Sequence, residues 1–321
     1  MRTEIKKVAC IGSGVIGMSW ALKFAWSGRE VVVYDIGDVQ IAKARDALEK
    51  SLDSLRAQDL ANEEECEKIK GRISYTTDLA EALRDADFVQ ESGPENLEIK
   101  QQMIADMERY IGDDVVIASS SSGLLVTDMA RKATHPERIV LGHPVNPPHL
   151  IPVVEVVKGE QSSDEAIACT DQFYTAIGKE VVIVNREVPG YVLNRLISTL
   201  YREIISLVET GVCSIEDADK ALHWGLGLRW ALMGHSLVLH LGAGEDGNLR
   251  VMLERYRDQF GVWFKSLECR TEIPQTYLDR CMEGIEKEIA NLPEEMGKTV
   301  PELIRYRDAM LVSMLRQQHK L

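Results

Sequence analysis

No block of lysine and arginine interrupts these 321 residues, and no basic stripe can be traced along them. With 37 Lys+Arg against 51 Asp+Glu, the net charge is −14. A chain so acidic repels phosphate backbones, which argues against nucleic acid and against an anionic membrane surface as partners. No apolar run is long enough to span a bilayer. The opening "MRTEIKKVACIGSG" runs straight into a strand pattern, without a signal-peptide apolar region or cleavage site. The six cysteines (Cys10, Cys66, Cys169, Cys213, Cys269, Cys281) are scattered and form no C-x-x-C pair. They are expected to be reduced thiols of a cytoplasmic protein, neither a disulfide framework nor a metal site. Internal repeats and low-complexity segments are also lacking. The most acidic patch, "NEEECEK" (62–68), reads as a solvated helix start.

What is present is an alternation. "KVACIG", "VVVYD", "FVQES", "VVIASS", "IVLGH", "VVEVV" and "VVIVN" read as strands, separated by stretches with helical spacing. That order predicts an α/β fold, a Rossmann-type doubly wound and mostly parallel sheet with helices on both faces. After "NREVPGY" the strand pattern stops. "VLNRLISTLYREIISLVETG" repeats apolar residues at helical spacing, with Gly211 a natural stop, and "SIEDADKALHWG" opens on Ser214 as an N-cap. The expected division is residues 1–187 for a dinucleotide-binding domain and 188–321 for an all-helical domain that binds substrate and dimerises. The active site is expected in the cleft between them.

"KVACIGSGVIGMSWALKFAWSG" carries Gly12-Ser13-Gly14-Val15-Ile16-Gly17 directly after a strand and at the opening of a helix. The first glycine permits a tight turn, the second lets backbone approach a pyrophosphate, and the third allows close helix–strand packing. The helix N-terminus offers free N–H groups to the phosphates. Asp35 ends the next strand, where a carboxylate accepts hydrogen bonds from the adenosine ribose hydroxyls and repels a 2′-phosphate. NAD, not NADP, is the expected cofactor.

"GHPVNPPHLIPVVEVV" (142–157) places a glutamate, Glu155, inside a run of valines that is apolar on both alternating faces. Such a strand is covered on both sides, and a bare buried charge costs several kcal/mol. Glu155 therefore needs a nearby partner. His143, at the end of "RIVLGH", and His149, among the prolines, are the candidates, with His143 preferred. An imidazole held by a buried carboxylate keeps one tautomer and is stabilised when it takes a proton. That is the requirement for removing a hydroxyl proton while hydride leaves the same carbon.

Taken together, "GSGVIG", "ESGPENLEIK", "ASSSSGL", "GHPVNPPHLIPVVEVV" and "VPGYVLNRL" resemble the L-3-hydroxyacyl-CoA dehydrogenase superfamily, in order over nearly the whole chain. The resemblance implies that His143 and Glu155 are the catalytic pair. It implies that Ser122 and Asn194 hydrogen-bond the reacting region of the substrate, and that Glu95 and Lys100 lie near the cofactor. The chain has Ser120-Ser121-Ser122 where the family often has Asn-Thr-Ser, so which serine of 119–122 meets substrate stays open. "GLGLRWALMG" (225–234) is similar to the branch acting on free 3-hydroxy acids, L-carnitine and L-gulonate among them. Arg229 suits a free carboxylate as a planar bidentate donor. Trp230 could hold a trimethylammonium group by cation–π attraction, or simply fill a helical core. Asn146 completes the candidate substrate contacts. A 3-hydroxyacyl-CoA substrate and a non-catalytic, crystallin-like role are the alternatives. The expected assembly is a homodimer.

Overall fold

One sheet gathers β1 (Lys7–Ile11), β2 (Glu30–Tyr34), β3 (Ile73–Thr76), β4 (Phe88–Glu91), β5 (Val116–Ser119), β6 (Ile139–Pro144), β7 (Val153–Val157) and β8 (Glu180–Val184). The strands lie in the order β3-β2-β1-β4-β5-β6-β7-β8. All neighbours are parallel except β6 and β7. Seven of the strands are the apolar runs of the sequence. The eighth, β3, has the sequence Ile-Ser-Tyr-Thr and buries only Ile73 fully. An edge strand needs less apolar cover than a central one, so its sequence signal is weak.

The connecting helices are α1 (Val15–Trp26), α2 (Asp38–Ala57), α3 (Glu63–Gly71), α4 (Leu79–Leu83), α5 (Leu97–Met107), α6 (Val126–Met129) and α7 (Asp164–Ala176). The acidic patch does start a helix. Asn62 caps α3, accepting from the Glu65 amide while Glu65 accepts from the Asn62 amide, a reciprocal capping box. Helices on both faces explain the uninterrupted valines. Alternate residues of each strand feed two separate apolar clusters, Val8 and Cys10 into one, Ala9 and Ile11 into the other. Stacked rings of Trp20, Phe24 and Tyr174 anchor the first cluster, with centroids 5.2 and 5.3 Å apart.

The computed structural model describes residues 1–245 and 247–321. They form two compact units, Met1–Arg195 with Arg307–Leu321, and Leu196–Tyr306. This division differs from the expected 1–187 and 188–321 at two places. Helix α8 (Leu193–Glu209) begins inside the first unit, tied there by its first residues. The last fifteen residues also return to the first unit. Arg316 donates to the carbonyls of Gln58 and Asp59 at 2.8 and 2.7 Å, Lys320 pairs with Glu180, and Val312 and Leu315 are buried.

Among its described residues the second unit has only helical regular elements. It holds most of α8, then α9 (Ile215–Lys220), a π-helical stretch (Ala221–Gly227), α10 (Leu228–Trp230), α11 (His235–Leu241), α12 (Leu249–Arg255), α13 (Arg257–Ser266), α14 (Gln275–Asn291) and the start of α15 (Val300–Gln317). Ser214 caps α9 by accepting from the Asp217 amide at 3.0 Å, and α8 stops just before Gly211 (φ 73°). The buried core here is small: Ile205, Ile215 and Tyr277, backed by Val208 and Cys281. Among the described residues no helix is long and apolar enough to cross a membrane.

Candidate active site

The strand order reverses between β1 and β4, and ligands of doubly wound sheets gather at the carboxyl ends of the strands flanking such a reversal. A cavity of about 560 Å³ lies there, lined by Gly12, Ser13 and Gly14 after β1, Asp35 and Ile36 after β2, and Ser92 to Pro94 after β4. Gly12 has φ 100°, and a Cβ on it would stand 2.6 Å from the Ser92 carbonyl oxygen. A Cβ on Gly17 would stand 1.9 Å from the Gly12 carbonyl oxygen. Both glycines are therefore fixed by close packing. Gly14 is different: a Cβ there would meet nothing within 4 Å. As N-cap of α1 it brings no side chain to cap the helix. The amides of Val15, Ile16 and Gly17 precede the first helical bond, from Met18 N to Gly14 O, and point a positive dipole end outward. A pyrophosphate fits this cradle. Asp35 accepts from the Ser13 amide and hydroxyl at 2.8 and 2.6 Å and from the Ile36 amide at 2.8 Å. It fixes the glycine loop, and its carboxylate retains lone pairs for further donors.

The partner of Glu155 is His143. The two are cross-strand neighbours on antiparallel β6 and β7, with Nδ1 and Oε2 2.7 Å apart. Leu141 and His143 share a sheet face, so the register presents the imidazole on the same face as Glu155. Glu155 is fully buried, and its second oxygen, Oε1, accepts from the amides of Val192 and Leu193 at 2.8 and 2.9 Å. Burial pushes this carboxyl up, but the His143 bond and the two backbone bonds outweigh it and hold it below the usual carboxylate range. An ionised Glu155 requires Nδ1 of His143 to carry the proton, which leaves Nε2 as the basic nitrogen. His149 is not part of the pair. Its Nδ1 meets the Ser19 hydroxyl at 2.7 Å, and burial, with Lys179, Lys23 and Arg307 nearby, lowers its pKa to about 4.

The four hydroxyls of the serine loop after β5 differ in their partners. Ser119 donates to Glu91, Ser120 meets Gln90 and Ser92 at 2.9 Å each, and Ser121 donates to Glu95 at 2.6 Å. Only the Ser122 hydroxyl has no hydrogen bond among the described residues of this run. Its carbonyl accepts from Nδ2 of Asn194 at 2.7 Å. Glu95 holds the loop through the amides of Ser122 and Gly123 at 3.1 and 2.9 Å. Lys100 is buried and spends its three N–H bonds on Glu91 Oε1 and Oε2, at 2.8 and 2.9 Å, and the Gly93 carbonyl at 3.2 Å. It braces the loop after β4, whose Ser92, Gly93 and Pro94 line the cavity. Asn146 is exposed in the turn between β6 and β7.

Arg229 and Trp230 lie in the second unit, directly after the π-helical stretch, a distortion that recurs at functional sites. Arg229 is exposed, its Nε donates to the Gly225 carbonyl at 3.3 Å, and among the described residues it has no acidic partner. Trp230 donates its indole N–H to His235 Nδ1 at 3.0 Å and packs edge-on against that ring. Sequence reasoning missed Tyr191, Glu91 and Lys179. All three are buried, and the positions of Glu91 at the head of "ESGPENLEIK" and Tyr191 inside "VPGYVLNRL" could have drawn notice.

A dinucleotide cradle at the sheet reversal, with a histidine–carboxylate pair on neighbouring strands of the same sheet, defines an NAD-dependent oxidoreductase. The chain belongs to the 3-hydroxyacyl-CoA dehydrogenase family: residues 7–188 match its NAD binding domain and residues 190–269 its C-terminal domain. It is 37% identical over 319 residues to an L-carnitine dehydrogenase of Streptomyces coelicolor, covering 99% of this chain and 96% of that protein. It is 36% identical over 320 residues to one of Pseudomonas putida, covering 98% and 94%. Among solved structures, 5-formyl-3-hydroxy-2-methylpyridine 4-carboxylic acid 5-dehydrogenase, an NAD+-dependent dismutase, is similar with a TM-score of 0.82 at 30% identity, covering 98% of this chain and 99% of that one.

Proposed function

We propose that the protein oxidises the 3-hydroxyl of L-carnitine to the 3-keto acid with NAD as acceptor. The observation that carries the chemistry is the buried His143–Glu155 pair at 2.7 Å. Full-length similarity to L-carnitine dehydrogenases supports the substrate. NAD, when bound, supplies the acceptor for the hydride leaving C3. His143 Nε2 takes the hydroxyl proton, and Glu155 stabilises the imidazolium. The Ser122 hydroxyl donates to the substrate oxygen, and Asn194 holds Ser122 in place. Arg229 is assigned the substrate carboxylate on its chemistry, as a planar donor with no acid of its own. Asp35 receives the adenosine ribose hydroxyls.

The test is NADH formation with L-carnitine, L-gulonate and 3-hydroxybutyryl-CoA. L-Carnitine is expected to give the highest kcat/KM, and a faster CoA ester would overturn the substrate. Arg229→Met is expected to impair both free acids and leave the CoA ester unaffected.

The working protein is a cytoplasmic homodimer. Leu196, Ile197 and Leu200 on α8, and Trp263 and Phe264 on α13, are exposed in the single chain, and a second copy would cover such faces. All six cysteines are free thiols. A monomer in sedimentation at micromolar concentration would overturn the dimer.

A further inference from the structure

Three contacts fasten the segment after β8 to the serine loop. The Thr127 amide donates to Glu187 at 3.0 Å, the Tyr191 hydroxyl donates to the Leu124 carbonyl, and Asn194 donates to the Ser122 carbonyl. Tyr191 stands in the middle of this row and does more than its neighbours. It is fully buried, yet its φ is 49°, in the left-handed region that side chains with a Cβ rarely adopt. Gly190 before it is also left-handed, at φ 77°. That double turn presents the next two amides, Val192 and Leu193, to Oε1 of Glu155. The Tyr191 ring lies against the His143 ring, centroids 5.7 Å apart. One residue thus touches the base, helps aim the donors on its carboxylate, and grips the loop two residues beyond Ser122.

We propose that Tyr191 is a positioning residue that sets the distance between the Ser122 hydroxyl and the His143 imidazole through its hydroxyl bond to Leu124. The substrate oxygen must meet both groups at once, so their separation governs turnover more than binding. This inference rests on the assignment of Ser122 and His143 above. A phenyl ring alone would fill the site and support the left-handed turn. The hydroxyl is what couples the turn to the loop.

Tyr191→Phe removes the hydroxyl's hold on the serine loop, at Leu124 and Ser121, and leaves the ring, the turn and the two flanking contacts, so the variant keeps its fold. Its kcat with L-carnitine should fall about tenfold, with NAD affinity unchanged. The acid limb of kcat/KM should stay in place, because the bond from His143 to Glu155 is untouched. Ser122→Ala should lower kcat on its own. In the Ser122→Ala background, Tyr191→Phe should cost nothing further, since the group it positions is gone. A merely structural role would lower the melting temperature and multiply with the Ser122 loss. Normal kcat in Tyr191→Phe beside an impaired Ser122→Ala, or losses that multiply in the double variant, would overturn the inference alone. Normal kcat in Ser122→Ala would overturn the site assignment and this inference with it.

Discussion

In the first unit a side chain as polar as Lys100 is buried with every proton placed, while in the second a side chain as apolar as Phe264 is 67% exposed. The first unit supplies its own partners: Glu91 for Lys100, Glu108 for the buried Arg138, His143 for Glu155. The second leaves large apolar side chains exposed, Leu232, Trp263 and Phe264 among them. The contrast teaches where each function is built. Proton transfer by a buried group needs its charges partnered, because an unpaired buried charge would shift its pKa and neutralise. Association needs surface, and the proposed dimer would use the apolar side chains that the helical unit exposes.

The sharpest way to break the comparison is to unmake the satisfied pair. His143→Asn should lower turnover by roughly 10²–10⁴ with little change in NAD affinity, because the cradle at β1 and β2 does not involve this strand pair. Single-turnover kinetics and a separate NADH titration would measure the two quantities. Unchanged turnover would remove His143 from the mechanism.

Next in size is the buried ion pair. Lys100→Met leaves Glu91 without its partner in a site that excludes water, and one-sided removal of this kind costs about 3–5 kcal/mol. Denaturant unfolding of the variant should show that loss. Lys100→Met with full stability would mean that Glu91 is satisfied by Ser119 and the Gly93 amide alone. An equivalent change on the other unit, at exposed Lys287, which pairs with Glu283, should leave stability nearly unchanged, because water screens the pair.

Much of this frame was legible in the sequence. Seven of eight strands, the glycine loop and the histidine–glutamate pair each leave a local pattern: an apolar run, a fixed spacing, a charge among valines. What was not legible has no local signature. β3 is short and half polar. The return of residues 307–321 to the first unit depends on Arg316 finding two carbonyls some 258 positions away in the chain. The resemblance puts Lys100 near the cofactor, but the sequence cannot show that Glu91, nine residues back, takes its charge and that the Gly93 carbonyl takes its third N–H. The four serines in a row look equivalent until Glu91, Gln90 and Glu95 claim the first three.

The first unit also predicts its own acid sensitivity. His149 is half-buried against Ser19 with its pKa lowered to about 4, against 6.5 for the ordinary group. The unfolded chain therefore binds this proton first as pH falls. The stabilisation is complete above the ordinary histidine pKa and is lost between there and about 4, on the order of 3 kcal/mol in all. Glu155, held below the usual carboxylate range, loses its contribution only at lower pH, as its own carboxyl protonates. Melting curves across this range should fall in two stages, and His149→Gln should flatten the upper stage alone. A single stage, unchanged in the variant, would show that His149 remains accessible to solvent protons.

The smallest expected effect tests whether the second unit's aromatic surface recognises substrate or only packs. Trp230 gives its indole N–H to His235 and sets its ring at 88° to that imidazole, a contact that already accounts for its orientation. Its π face is not consumed by that edge contact, and a ring face attracts a trimethylammonium group by about 1 kcal/mol when partly exposed. L-Carnitine carries that group and L-gulonate does not, while both carry the carboxylate assigned to Arg229. Trp230→Leu should therefore raise KM for L-carnitine by about fivefold and leave L-gulonate nearly unchanged. Trp230→Phe keeps a π face but loses the N–H, so it should retain most of the discrimination. His235→Ala removes the orienting partner and keeps the indole, and should fall between wild type and Trp230→Leu. Equal losses for the two substrates in Trp230→Leu would reduce Trp230 to packing. The quaternary cation would then have to be read by other rings of this unit, with Trp224, 64% exposed and stacked on His223 at 4.3 Å, the next to test.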